Sequence, residues 1–352
     1  MVEREKVEKY LEKKFGKIKL NNFKELGKGV YGTAYLLDFD LENGKNKKLV
    51  LKNMNRGGFG HDYKADIAHN LILAHNTFNN LKKHIKSYDV IASNEELKSI
   101  GDAEDYYILL EEAEGEEYSK DLDRISETGK LEEKDRKRVV KLAEYLAEIH
   151  ERIDKPELYV RRARDLVGHG EYIMGVLDGY PENSIKSERR VEIVCKCVHW
   201  WEKLRNYKER LSVIHGDYHP FNIMFKGEDF VLLDRSRGEY GEPADDLTGM
   251  LVNYLFWSLV KYGKLDNEFK ELFKLFLNTY LEKTEDKEVL KVIQPFFTFR
   301  AVVVANPIFY SNDWFRKRGA DPDEIRDKLL NLAENVLDIE KFEIEKVNEY
   351  LK

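Results

Sequence analysis

The chain has 352 residues, of which 42% are hydrophobic and 36% are charged, and its formal net charge at pH 7 is -7. This composition supports a folded core, and the mixed charges contain no Lys/Arg block that would indicate a nucleic-acid partner. No run reaches the roughly 18 apolar residues of a membrane span, and the N-terminus lacks the apolar segment of a signal peptide. We therefore expect a cytoplasmic protein with no membrane partner, and the composition leaves its oligomeric state open.

The first third of the chain is predicted to be rich in β-strands. An amphipathic helix is expected over residues 3–19, because Val7, Leu11, Phe15 and Ile18 fall on one stripe. Beyond it, short β-forming segments alternate with Gly or Asn turns. The predicted strands are Phe23–Leu26, Thr33–Asp40, Lys48–Asn53, Tyr88–Ser93 and Tyr106–Glu111, with a hairpin tip at Glu42–Lys45 and a helix over Tyr63–Ile85.

The remaining two-thirds of the chain is predicted to be mainly helical. Helices are predicted over Lys134–His150, over Glu188–Arg210 and from residue 244 to the end, with a strand–turn–strand unit at 213–234. We therefore predict an α+β protein with two lobes. Residues 1–112 form a small antiparallel β-sheet N-lobe, and residues 113–352 form a large, mainly helical C-lobe.

A glycine-rich motif, G-x-G-x-x-G, is formed by Gly27, Gly29 and Gly32. In a dinucleotide-binding fold a helix begins directly after these glycines. Here the next residues, Thr33–Leu37, read as a strand. Strand, glycine loop and strand is the arrangement typical of protein kinases, in which the loop covers a nucleotide triphosphate. A plain hairpin with turn glycines is the alternative.

A lysine at the end of an apolar strand is the next candidate for nucleotide binding. Lys52 ends the segment Leu49–Lys52, and in the kinase interpretation it contacts the α- and β-phosphates. Its carboxylate partner is predicted to be Asp66, because no glutamate lies between Lys52 and Glu95. Main-chain groups around Glu112 are expected to contact the purine.

The segment Val213–Phe225 is the most informative part of the sequence, because an apolar strand leads into a loop that contains His, Asp and Asn. Phosphoryl transfer needs a positioned hydroxyl group and neutralised phosphate charge. Asp217 can accept the hydroxyl proton, and Asn222 offers a carbonyl oxygen to Mg²⁺. Asp234 ends the next apolar strand, and its carboxylate suits the same ion.

Together these motifs resemble the aminoglycoside phosphotransferase and choline kinase family of the protein-kinase-like fold, over about residues 25–260. The resemblance implies that Asp217 is the catalytic base, that Asn222 and Asp234 hold Mg²⁺, and that His215 and Asp246 brace the catalytic loop. Asp234 lies only 12 residues before Asp246. A protein kinase has a longer peptide-docking segment there, so the likeness favours a small-molecule acceptor.

Residues of about 151–212 are extra to a minimal kinase, and we expect them to select the acceptor. The predicted acceptor contacts are Arg161, Arg164, His169, Glu171 and Asp178, with a solvated charged helix and loop turns as the alternative. Five aromatic residues are expected to be core, with the lining of a pocket as the alternative: Phe296, Phe297, Phe299, Phe309 and Tyr310. Arg300 among them is an unusual charge.

The predicted function is Mg²⁺-dependent transfer of the γ-phosphate of ATP, or of GTP, to a hydroxyl group of a small molecule. Two rival interpretations stay open on the sequence. One is a Ser/Thr protein kinase, and the other is an inactive nucleotide-binding pseudokinase. The combination of Lys52, Asp217, Asn222 and Asp234 argues against the second, because a scaffold needs none of these groups.

Overall fold

The computed structural model describes residues 2–29, 32–55, 64–95, 97–98 and 105–352. These residues divide into two units. The first comprises the described residues up to Glu114 together with the segment Val231–Arg237, and the second comprises Gly115–Phe230 and Gly238–Lys352.

The elements of the first unit in chain order are α1 (Arg4–Phe15), β1 (Ile18–Gly29), β2 (Gly32–Leu41), β3 (Asn46–Asn53), α2 (Lys64–Phe78), β4 (Ser87–Ser93), β5 (Leu97–Lys98) and β6 (Asp105–Glu111). The six strands form an antiparallel sheet in the order β1-β2-β3-β6-β4-β5.

Each face of this sheet has its own hydrophobic core, because neighbouring side chains of a strand point to opposite faces. Leu49 and Leu51 of β3 are buried together with Val7 and Leu11 of α1. Val50 packs instead into the cluster of α2 residues. The same alternation places Lys52 on the α2 face of the strand.

Two predicted helices of this unit are shorter in the structure. α1 ends at Phe15 because Gly16 adopts a φ of 81°, and Ile18, predicted as helical, begins β1. The helix predicted over Tyr63–Ile85 is α2, which ends at Phe78. Its predicted first residue, Tyr63, lies outside the described residues.

The second unit is mainly helical. Its strands are β7 (Glu116–Glu117), β8 (Ser212–Val213), β9 (Ile223–Lys226), the first half of β10 (Asp229–Leu232) and β11 (Tyr240–Gly241). The last two residues of β10, Val231 and Leu232, belong to the first unit. The helices of the second unit are α3 (Ser119–Thr128), α4 (Glu133–Ile149), α5 (Pro156–Gly168), α6 (Ile173–Asp178), α7 (Ser187–Leu204), α8 (Pro243–Tyr262), α9 (Asn267–Thr284), α10 (Gln294–Ala305), α11 (Asn312–Arg316), α12 (Pro322–Asn335) and α13 (Val347–Tyr350).

The predicted strand–turn–strand unit is present as β8, β9 and β10, with β10, β9 and β7 forming one small sheet and β11 and β8 another. The long helix predicted over Glu188–Arg210 is α7, followed by a 3-10 helix over Arg205–Arg210. Among the described residues, no helix is both long and apolar enough to span a membrane.

Helices α8 and α10 form the centre of this unit and pack against each other. Both are apolar along most of their length, and the aromatic residues of α10, Phe296, Phe297 and Phe299, are buried as core. Phe309 and Tyr310, further along the predicted aromatic segment, are partly exposed. The buried charges of α8 and α10 are therefore exceptions that need a reason.

Candidate active site

The loop that carries Asp217 is held by one buried carboxylate. β8 ends at Val213, and the chain turns through Gly216, whose φ of 87° suits glycine. The backbone N–H groups of His215 and Gly216 donate to the two oxygens of Asp246, each over 2.7 Å. Asp246 thus holds two backbone groups of the loop for which the sequence analysis predicted a bracing role.

Asp246 lies in the first turn of α8 and is fully buried. Burial alone would raise the pKa of this carboxyl, but the hydrogen bond and charge of His150 and the N–H of His215 hold the pKa below its ordinary value of 3.8. His150 Nε2 lies 3.2 Å from Asp246 Oδ2, and its Nδ1 lies 2.8 Å from the hydroxyl of Tyr280. The loop is therefore tied through Asp246 to α4 and α9.

The residue after Asp217 is anchored as well. The fully buried Tyr218 donates its hydroxyl to the carbonyl of Leu142 over 3.1 Å, and burial raises the pKa of Tyr218 well above its usual range. Gly249 of α8 passes beneath the loop, since a Cβ there would lie 2.5 Å from the Tyr218 carbonyl oxygen. Asp217 thus sits on a backbone with little freedom to move.

Asn222 closes the loop onto Asp217. Its Nδ2 donates to the Asp217 carbonyl over 3.0 Å and lies 3.1 Å from His219 Nε2 and 3.5 Å from Asp217 Oδ2. All these contacts with described residues use the amide nitrogen, so Oδ1 of Asn222 can serve as an oxygen ligand. Mg²⁺ prefers such hard oxygen ligands, and the side chain fits the predicted metal role.

The carboxylate of Asp217 also contacts a residue that the sequence did not connect with it. Arg300 of α10 donates from Nη1 to Asp217 Oδ1 over 2.7 Å and from Nη2 to the Gly216 carbonyl over 3.1 Å. Its second carboxylate partner is Asp245 Oδ1, at 2.6 Å. The one signal in the sequence was a single charge within an apolar and aromatic segment, which does not reveal its partner.

In the first unit, Lys52 forms an ion pair with Asp234, with 3.1 Å between Nζ and Oδ2. This pair brings two predicted site residues together. The predicted pair of Lys52 with Asp66 is not among the ion pairs that the structure shows for its described residues, and Asp66 lies in the first turn of α2. Lys52 comes from the α2 face of β3, the face on which Leu233 also packs, so strand register explains why it meets Asp234.

The glycine motif forms the end of the β1–β2 hairpin, where Gly27 pairs with Ala34 and Gly29 with Gly32. A strand follows the glycines, so the dinucleotide-binding alternative is wrong. Gly32 is required by close packing, because a Cβ there would lie 2.1 Å from the Asn53 carbonyl oxygen.

The predicted acceptor residues do not share one environment. Arg161 and Arg164 are exposed on α5 and pair with Asp165. Glu171 is buried, and its backbone N–H donates to His169 Nδ1 over 3.2 Å. Asp178 is exposed at the end of α6. The buried arginine of α5 is instead Arg162, whose Nη2 lies 3.0 Å from Asp245 Oδ2.

Glu112, the predicted purine-side residue, directly follows β6 and is partly buried. No group of three or more His, Cys, Asp or Glu side chains in the described part of the chain is arranged to hold a metal ion. A magnesium site built from one amide oxygen, one carboxylate and substrate phosphates does not require such a group.

The fold and these motifs define an α+β protein of the protein-kinase-like class, with a β-sheet unit and a mainly helical unit. The profile of the APH phosphotransferase enzyme family matches residues 42–269, well over half of the chain. The chain belongs to this family. The predicted family, the two-lobed fold and the enzyme class, a small-molecule kinase, are thereby confirmed.

Solved structures with the same fold differ widely from this chain in sequence. Choline kinase from Cryptosporidium parvum Iowa II has a TM-score of 0.53 at 13% identity, covering 99% of this chain and 92% of that one. Amicoumacin kinase hAmiN, in complex with AMP-PNP, Ca²⁺ and Ami, has a TM-score of 0.52 at 16% identity, covering 93% and 96%.

A third structure is a thermostable mutant of aminoglycoside phosphotransferase APH(4)-Ia in a ternary complex with ADP and hygromycin B. Its TM-score is 0.52 at 13% identity, covering 92% of this chain and 97% of that one. A search of curated protein sequences finds no match. At these identities the structural similarity establishes the fold alone.

Proposed function

We propose that the protein transfers the γ-phosphoryl group of ATP, or of GTP, to a hydroxyl group of a small molecule in a Mg²⁺-dependent reaction, with Asp217 as the catalytic base. The observation that carries this proposal is the bracing of the Asp217 loop by Asp246, which accepts two backbone N–H groups at 2.7 Å. Phosphoryl transfer depends mainly on positioning, and a braced loop supplies it.

In this proposal Asp217 accepts the proton of the acceptor hydroxyl as that oxygen attacks the γ-phosphorus. Asn222 and Asp234 hold Mg²⁺, since one keeps an amide oxygen available and the other offers a partly exposed carboxylate. The chemistry that the ion supplies when bound is neutralisation of charge on the phosphate oxygens.

The nucleotide is assigned to the first unit. Lys52 contacts the α- and β-phosphates, and the hairpin that contains Gly27, Gly29 and Gly32 covers the triphosphate, as in other enzymes with this strand–loop–strand motif. Main-chain groups around Glu112 contact the purine, and Asp66 remains a candidate nucleotide-binding residue. Complexes of the similar structures with AMP-PNP and with ADP support a nucleotide as the donor.

The acceptor is assigned to the insertion at residues 151–212. Two of the similar structures are named with a small molecule, hygromycin B in one and amicoumacin in the other. The third similar structure is a choline kinase. Those names support an acceptor of low molecular weight for this chain. Arg161, Arg164, His169, Glu171 and Asp178 remain the predicted contacts.

The test of the proposed function is ADP release by the purified protein with Mg²⁺, ATP and a panel of hydroxylated metabolites. Asp217→Asn keeps the size of the side chain but removes its basic oxygen, and we expect it to lower kcat by about 10²–10⁴ fold. The same variant serves as the blank of the screen. Equal ADP release by the wild type and the variant would contradict the proposal.

The acceptor assignment has a separate test. We expect His169→Ala and Glu171→Ala to raise the KM of the acceptor while leaving the KM of ATP within about twofold, because binding contacts affect mainly the ligand they touch. Initial rates at varied acceptor and varied ATP measure both constants. An unchanged acceptor KM in both variants would remove these residues from the site.

A further inference from the structure

A chain of four alternating charges links the insertion to Asp217. Arg162 of α5 contacts Asp245 over 3.0 Å, Asp245 contacts Arg300 over 2.6 Å, and Arg300 contacts Asp217 over 2.7 Å. Arg162, Asp245 and Arg300 are all buried, with exposed fractions of 8%, 0% and 4%. These two arginines and two aspartates have a net charge of zero, so each charge faces an opposite charge within this row of contacts.

Stability alone does not account for Arg300. It lies in the apolar helix α10 between Phe299 and Ala301, which are both fully buried. Replacement of a whole buried ion-pair network by well-packed apolar residues is often neutral or stabilising, so stability alone does not require charges at these positions. The reason for a charged residue at this position therefore lies in the groups that its guanidinium contacts.

The Arg300 guanidinium contacts both the backbone just before Asp217 and the side chain of Asp217 itself. Nη2 binds the Gly216 carbonyl, directly before Asp217, while Nη1 binds Oδ1 of the carboxylate. Because the same planar guanidinium binds the backbone before Asp217 and one oxygen of its carboxylate, it restricts the orientation of the carboxyl group. The other oxygen, Oδ2, is then the one that lies 3.5 Å from both the Asn222 amide nitrogen and His219 Nε2.

We propose that Arg300 is the positioning residue of Asp217, holding its Oδ1 so that Oδ2 receives the proton of the acceptor hydroxyl. This inference rests on the proposed function. In the step, the acceptor oxygen forms a bond to the γ-phosphorus as the bond from that phosphorus to the β,γ-bridging oxygen breaks. The proton moves to Oδ2, and the nucleoside diphosphate leaves with the bridging oxygen and its electron pair.

Asp245 and Arg162 extend this arrangement. Asp245 holds the second nitrogen of Arg300, and Arg162 occupies the other oxygen of Asp245. The guanidinium of Arg162 lies 4.9 Å from the ring centroid of Tyr172, the residue directly before α6. The orientation of Asp217 is thus set by residues that reach into the insertion, the region assigned to the acceptor.

The test uses Arg300→Met and Arg300→Lys, alone and combined with Asp217→Asn. Because a small misplacement of a reacting group costs about 10²-fold, we expect Arg300→Met to lower kcat by about that factor. The KM of ATP should stay within about threefold, and Arg300→Lys, which keeps the charge, should recover part of the loss. If Arg300 acts through Asp217, the double variant is no slower than Asp217→Asn.

Arg326→Met is the matched control, since Arg326 of α12 is 8% exposed, lies outside the insertion and donates to Asn312 Oδ1 and to the Tyr310 carbonyl. We expect it to lower the urea midpoint while keeping kcat within about threefold. If the methionine variants do not fold, Arg300→Lys and Arg326→Lys carry the comparison with their Asp217→Asn combinations.

Two results would overturn the inference. One is a kcat of the Arg300 variants equal to that of the Arg326 control, and the other is a double variant slower than Asp217→Asn by the full factor of the Arg300 change. Failure of the proposed function is a different result, in which Asp217→Asn itself keeps the rate of the wild type.

Discussion

Asp234 combines two properties at one position. Its backbone has a φ of 58°, in the left-handed region, and its side chain pairs with Lys52. Asp and Asn enter that region more readily than other non-glycine residues, because their short polar side chains bond locally. Aspartate is therefore suited both to this backbone conformation and to the proposed role as a Mg²⁺ ligand.

Asp234→Asn separates the two requirements at this position, because it keeps a residue suited to the left-handed backbone and removes the carboxylate. Asn tolerates the same backbone, so we expect the free energy of unfolding to change by less than about 1 kcal/mol. Loss of the anionic ligand should lower activity by about 10²-fold or more and raise the Mg²⁺ concentration needed for half-maximal rate. Rates against Mg²⁺ concentration measure both effects.

Asp217→Asn is the comparison for that experiment, because it should reduce the rate without changing the Mg²⁺ requirement. A Mg²⁺ dependence of Asp234→Asn identical to that of the wild type would show that the residue does not hold the ion.

Site residues could be predicted from the sequence where they lie close together along the chain. His215, Asp217 and Asn222 lie in one loop, and their order together with the glycine motif, Lys52 and Asp234 predicted that they act together. Arg300 is 83 residues from Asp217, and Asp245 lies beside the predicted Asp246, yet both join the carboxylate network. Contacts of this kind depend on how α8 and α10 pack, which a sequence pattern does not specify.

Among the elements, the short helix α6 shows how closely the insertion is packed. A Cβ on Gly175 would lie 1.9 Å from the carbonyl oxygen of Gly170. We expect Gly175→Ala to destabilise the protein by about 2 kcal/mol or more, since backbone must shift to admit the methyl group. Urea unfolding followed by circular dichroism measures the change.

Gly168, the last residue of α5, is the control for that substitution. A Cβ there meets nothing within 4 Å, so Gly168→Ala should be tolerated or slightly stabilising. Equal stability of the two alanine variants would mean that the close approach in α6 is relieved without strain.

Element boundaries were predicted well where the periodicity was strong and poorly where it was interrupted. The helix predicted over Lys134–His150 is α4, Glu133–Ile149, because its apolar stripe is regular. β1 is far longer than the predicted Phe23–Leu26, since most of its side chains are exposed or only partly buried and leave no alternating pattern. Hydrogen bonding to β2 defines that strand.

For the molecule as a whole, buried carboxylates link stability to pH. Asp246 has a pKa below its ordinary value of 3.8, as does Asp286 beside Arg210, although burial alone would raise both. A lowered pKa in the folded state means that the unfolded chain takes up the proton first as pH falls. These groups stabilise the protein fully above pH 3.8, and that stability is lost as pH drops through their folded pKa values.

Asp246→Asn tests this link. We expect it to lower the free energy of unfolding at pH 7 by about 3 kcal/mol, because an amide cannot accept from both N–H groups of the loop. Its stability should also fall less steeply than that of the wild type below pH 3.8. Urea midpoints at several pH values give both quantities, and parallel pH curves would contradict the assignment.

The two sides of α5 differ in what they permit to a protein engineer. Arg161 and Arg164 are exposed, and each pairs with Asp165 of their own helix, so a library that varies them leaves the core unchanged. Arg162, between them in sequence, is bonded to Asp245 and so is linked to Asp217 through three successive contacts. Redesign for a new acceptor would begin at Arg161 and Arg164 and leave Arg162 unchanged.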